Sequence, residues 1–89
     1  MNKKTEFINE IESTKGYLIQ FKNEIKNKVK KVEILLHVYE TIKGNKKDIK
    51  NLKINNKGNI ILSKFNRIFE VTSLIFDEEN GTACIYLAY

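Results

Sequence analysis

The sequence predicts an α+β domain, a long N-terminal amphipathic helix packed on a C-terminal antiparallel β-meander of three or four strands. Three observations predict it. Residues 4–43 contain no proline and repeat apolar side chains on a heptad. From residue 49 the apolar period drops to two, as in a half-buried strand. Glycine-bearing turns, Asn56-Lys57-Gly58 and Asn80-Gly81, punctuate that second part. At 89 residues the chain is expected to be one domain, with the helix over 4–43 and the meander over 48–89.

Counted in sevens from Lys4, one seam position holds Lys4, Ile11, Leu18, Ile25, Val32 and Tyr39. The other holds Phe7, Thr14, Phe21, Lys28, Leu35 and Ile42, and nine of these twelve are apolar. Thr5 is the expected N-cap, with Glu6 suited to the positive end of the helix. Gly44 suits the C′ position that ends it. Gly16 offers an alternative, an αα-hairpin turning at Ser13-Thr14-Lys15-Gly16. The heptad phase runs unbroken across Gly16, which favours one helix. Up to Phe21 the apolar stripe is narrow, as for helix on helix. From Ile25 it widens through Val29, Leu36 and Val38, as for a helix seated on a sheet. Lys28 in the seam either fixes register or marks the handover between the two.

Residues 49–55 and 59–64 are expected to pair around Asn56-Lys57-Gly58, with Ile54 opposite Ile60 and Leu52 opposite Leu62. Lys64-Phe65-Asn66 lacks glycine and is read as a turn or as a bend in one long strand. Residues 67–77 and 82–89 form the last hairpin through Glu78-Glu79-Asn80-Gly81. A two-residue turn there puts Leu74, Phe76, Ala83, Ile85, Leu87 and Tyr89 on one face. Phe69, Val71, Ile75, Cys84, Tyr86 and Ala88 then share the other. One helix covers one face, so the second apolar face is expected to meet a partner.

Composition narrows the function classes. No apolar run reaches the ~18 residues of a membrane span. The opening MNKKTEF has no apolar run behind it, so no secretory leader is expected. A single cysteine, Cys84, excludes an internal disulfide and a cysteine-based metal site and points to a reducing cytoplasm. No phosphate loop, Ser-His-Asp set or metal-ligand spacing is present, so no catalytic, metal or cofactor residues are assigned and the chain is read as non-enzymatic. His37, on the polar helix face, and the Asp77-Glu78-Glu79 run are read as surface features. The 15 lysines, 13 isoleucines and 11 asparagines point to an AT-rich genome and, with the small size, to a phage or mobile-element accessory gene.

Charge is uneven, with net +2 over residues 1–42, +7 over 43–67 and −4 over 68–89. Two functional expectations follow. The first is a protein-binding regulator or inhibitor that occupies a partner's surface, of the anti-CRISPR kind, through Phe69, Val71, Ile75 and Tyr86. The second is sequence-tolerant nucleic-acid binding by Lys43, Lys46, Lys47, Lys50, Lys53, Lys57 and Lys64; near-absence of arginine argues against base reading. A helix of ~40 residues would be ~60 Å long, against ~27 Å for an eight-residue strand. The uncovered seam of Phe7, Ile11, Leu18, Phe21 and Ile25 is therefore expected to form a homodimer.

Overall fold

The computed structural model describes residues 3–36 and 40–88, with side chains from Thr14 onward. It is α+β, as expected, but the sheet is a six-stranded mixed sheet and not a meander of three or four strands. Helix α1 (Lys3–Ile25) is followed by strands β1 (Lys31–Leu36) and β2 (Glu40–Lys43), a short helix α2 (Lys46–Lys50), and strands β3 (Lys53–Ile54), β4 (Ile60–Lys64), β5 (Arg67–Asp77) and β6 (Thr82–Ala88). The spatial order is β2-β1-β6-β5-β4-β3. Strand β6 lies between β1, which it pairs in parallel, and β5, which it pairs antiparallel.

The expected forty-residue helix is overturned beyond Ile25. Helix α1 has 23 residues, begins before Thr5, and runs straight through Gly16 with no αα-hairpin. A turn at Lys26-Asn27-Lys28 follows, where Ile25 O accepts from the amides of Lys28 and Val29. The second half of the supposed helix is β1 and β2. The error has a physical cause. Val29, Val32 and Leu36 fit a helical i, i+3, i+7 stripe, while Val32, Ile34 and Leu36 fit a strand face equally well. Burial along Lys31–Leu36 alternates with period two, and β-branched Val32 and Ile34 suit the pleated ladder. Pairing with both β2 and β6 decides the competition. His37, Val38 and Tyr39 lie outside the described residues.

Residue 49 is not a strand start either. Asn45 caps α2: its Oδ1 accepts from Lys47 N at 2.9 Å, and Asp48 Oδ2 accepts from Asn45 N at 2.8 Å. This reciprocal capping box is written in the sequence as Asn-x-x-Asp. The segment 44–52 carries the chain from one edge of the sheet to the other, five strand spacings or ~24 Å away. Gly44 is needed there as a close approach, since a Cβ would lie 3.0 Å from both Val32 O and Ile34 Cγ1. Strand β3 is two residues long. Ile54 does face Ile60, but Leu52 precedes the ladder and packs in the core instead of facing Leu62.

The join at residues 65–66 is a true two-residue turn, with Phe65 and Asn66 at φ 56° and 58° and Lys64 paired to Arg67. Positive φ at both positions matches the twist of the flanking strands. A phenylalanine is rarely found in that conformation. The last hairpin turns through Glu78–Gly81, and Gly81 O accepts from the amides of Lys30 and Lys31 at 2.7 and 3.2 Å. That carbonyl fixes where β1 enters the sheet beside β6.

The core lies between α1, α2 and one sheet face. Leu18, Phe21 and Ile25 of α1 pack with Val32, Ile34, Leu36, Ile49, Leu52, Leu62, Phe69, Leu74, Ala83, Ile85 and Leu87. Into this apolar setting Asp48 and Lys64 place an ion pair at 2.9 Å, their side chains only 8% and 13% exposed. The same Asp48 oxygen accepts from Asn45 N, so one carboxylate holds α2 to β4.

Two stability effects follow. Nothing lies within 4 Å of a Cβ at Gly16, so Gly16→Ala should raise stability by about 1 kcal/mol in urea unfolding, the difference in helix propensity; a loss would contradict a continuous helix. Lys64→Met strands a buried carboxylate and should cost about 3 kcal/mol, whereas Asp48→Asn combined with Lys64→Met should recover part of that loss.

Candidate functional site

Two surfaces hold the residues singled out from the sequence. The first is the sheet face opposite α1. Alternation along the strands sends Glu33 and Leu35 of β1, Cys84 and Tyr86 of β6, and Ser73 and Ile75 of β5 to this side. Leu35 lies beside Tyr86, and Cys84 beside Ile75, so Ile75 and Tyr86 are diagonal neighbours across a strand pair. Ile75 is 49% exposed and Tyr86 36%. A second apolar pair, Ile61 and Ile68, sits diagonally across β4 and β5. Exposed Phe65 stands at the adjacent turn, with Lys64 Nζ 5.4 Å from its ring centroid.

The expected partner face is thus split. Ile75 and Tyr86 are on it, but Phe69 and Val71 are not. The β5–β6 ladder shifts register between Val71 and Ser73, leaving Thr72 as an extra residue. That bulge reverses the side on which the preceding residues fall. Phe69 is therefore buried and Val71 packs against the core. The signal in the sequence was the adjacent polar pair Thr72-Ser73, which breaks the apolar–polar alternation of Phe69, Glu70 and Val71. Leu35, Ile61 and Ile68 were missed because the first was placed in a helix and the others were given no partner across the sheet.

The helix seam is also reassigned. Leu18, Phe21 and Ile25 are buried against the chain's own sheet, so they are not free to pack between protomers. With 23 residues α1 is ~35 Å long, and the excess length that called for a second copy disappears. The side chains of Phe7 and Ile11 lie outside the described residues.

The second surface is basic. Lys46, Lys47 and Lys50 project from α2, Lys53 from β3 and Lys57 from the β3–β4 loop, all exposed; Lys43 is exposed on β2 opposite Glu33. Lys64 leaves the set, since Asp48 holds it. Two lysines join it that sequence reasoning left in the helix. A cleft of about 460 Å³ between the end of α1 and α2 is lined by Lys22, Lys26, Lys46 and Lys50 above Ile25, Val29 and Ile49. Lys22 Nζ donates to Leu52 O at 2.8 Å. Burial, and then the ammonium of Lys53, lower its pKa below the ordinary lysine value. Lys28, read as a seam residue, is exposed and forms a 3.4 Å pair with Glu78.

The other polar groups serve the fold. Asp77 closes the β5–β6 turn, accepting from the side chain and amide of Asn80 and the amide of Glu79, and these bonds hold its carboxyl below the usual range. Among the described residues no group of His, Cys, Asp and Glu is placed to hold a metal ion. No described helix is long and apolar enough to cross a membrane. Cys84 is half-buried, and burial, with Glu33 and Asp77 adding to it, pushes its thiol up from the ordinary value. Its alkylation by iodoacetamide at pH 8 should therefore be slower than that of a free cysteine, with the rate rising through a midpoint above the usual thiol pKa.

No protein-family model, curated protein or solved structure matches this chain.

Proposed function

We propose that this chain is a small non-enzymatic regulator or inhibitor that acts by occupying the surface of a partner protein, and that it docks through the open sheet face. The observation that carries this reading is Ile75 and Tyr86 standing as exposed diagonal neighbours on a face that α1 does not cover. Leu35 and Cys84 extend the apolar area, and Lys31, Glu33, Asp77 and Glu70 ring it with charge of both signs. An apolar centre with a polar rim is the usual anatomy of a protein interface. Tyrosine is favoured at its centre, because it adds large area at low entropic cost and brings a hydroxyl.

Support for a non-enzymatic role comes from where the reactive groups go. Burial pushes the thiol of Cys84 up from its ordinary value, away from the reactive thiolate, and Asp48 is committed to Lys64 and Asn45. A phage or mobile-element inhibitor of a host defence enzyme, of the anti-CRISPR kind, is the setting that the small size and the Lys-, Asn- and Ile-rich composition suit.

The test is capture of partners from cells that carry the gene, comparing the parent with Ile75→Glu and Tyr86→Glu. Each change should weaken a specific partner by about 30-fold, the effect of losing an interface hot spot of ~2 kcal/mol. The parent complex should survive about 0.5 M salt, because the contact is mainly apolar. Identical captured proteins for parent and both variants would sink the reading. A dimer in light scattering that both variants dissociate would assign the face to self-association.

A further inference from the structure

The basic cleft calls for its own explanation. A lysine in the last turn of a helix or just past its end suits the negative pole there, which accounts for Lys22 and Lys26. It does not account for Lys46 and Lys50, which α2 brings to the other side of the same cleft. These four side chains come from two segments at least twenty residues apart, and no carboxylate is among the described residues lining the cleft. The two nearest acids in sequence are engaged elsewhere: Glu24 accepts from Gln20 Nε2 at 3.2 Å and faces a different groove, and Asp48 is paired with Lys64. Four lysines lining one cleft with no carboxylate among them give it a positive potential that favours a bound anion.

The shape indicates which anion. The cleft is open, Lys53 is near enough for its charge to act on Lys22, and Lys57 is exposed in the loop after β3, so it resembles a track more than a closed pocket. No aromatic ring and no arginine is among the described residues that line it. That leaves out base stacking and bidentate base recognition, which need those side chains. Lysine ammonium groups act on phosphates as point charges. We propose that the cleft between α1 and α2, lined by Lys22, Lys26, Lys46 and Lys50, binds the phosphodiester backbone of a nucleic acid without reading its sequence.

The proposal is independent of the sheet face, which lies on the other side of the sheet. It is tested by fluorescence anisotropy of the whole protein with a labelled single-stranded oligonucleotide. Four phosphate contacts predict a log–log salt slope near −3, so affinity should fall ~50-fold between about 50 and 200 mM salt. Lys26→Gln, Lys46→Gln and Lys50→Gln together should flatten that slope by about 2. Lys22 is left in place because it bonds Leu52 O. A control with Lys15→Gln, Lys28→Gln and Lys30→Gln removes the same charge at positions that do not line the cleft and should keep most of the slope. Both variants should retain the parent's circular-dichroism spectrum. No binding at low salt, or equal losses in the two variants, overturns the proposal. Displacement of the strand by inorganic phosphate at equal phosphate concentration would assign the cleft to small phosphates and overturn the polynucleotide assignment.

Discussion

Both helices, α1 and the short α2, lie on one side of the six-stranded sheet, and neither covers the other side. Every apolar residue in the strands is sorted by that limit. Those on the α1 side form a core in which Ile34, Leu62, Ala83 and Ile85 are fully buried. Those on the far side are left to solvent or to another molecule. Because side chains alternate, the sorting depends on parity along each strand, and one extra residue at Thr72 is enough to move Phe69 and Val71 from the open side to the core. The bulge therefore sets both how much core the protein has and how apolar its exposed face remains.

The parts legible in the sequence were those fixed by local chemistry. The last hairpin spans the expected strands, but its turn has four residues, Glu78–Gly81, with Asp77 paired to Thr82, and not the expected two; Gly58 takes the positive φ that its loop required. Helix α1 was legible as far as Ile25. Beyond it, the same apolar residues satisfied a period of 3.6 and a period of two, and the deciding partner, β6, lies some fifty residues away in the chain. No local pattern carries that information. The turn at Phe65-Asn66 was ambiguous for a different reason: it uses a backbone conformation that phenylalanine seldom takes, so composition pointed the wrong way.

The candidate surfaces divide along the same line. The charge of the segment 43–64 is plain from lysine density, but the cleft is not, because Lys22 and Lys26 reach it only once α2 packs against the end of α1. Lys64 looked like part of the basic surface and instead neutralises Asp48 inside the fold. On the sheet, Ile75 and Tyr86 were found through alternation alone, whereas Leu35, Ile61 and Ile68 needed the strand order. Tertiary pairing, more than propensity, determines which residues share a surface here.

The position of β6 has a consequence for the route by which the protein folds. The β3–β4, β4–β5 and β5–β6 pairings each close over a short loop. The β1–β6 ladder instead joins residues 31–36 to residues 82–87, and the loop-closure entropy of that separation has to be met before the ladder returns any stabilisation. The C-terminal hairpins can nucleate independently, while α1 and β1 wait for β6 as a landing edge. Folding is then expected to be limited by that single late docking step, with the parallel edge of β6 exposed to other chains until β1 arrives. During synthesis β1 has β2 beside it but waits for β6 on its other edge, and this brief interval is when the protein is most open to mispairing.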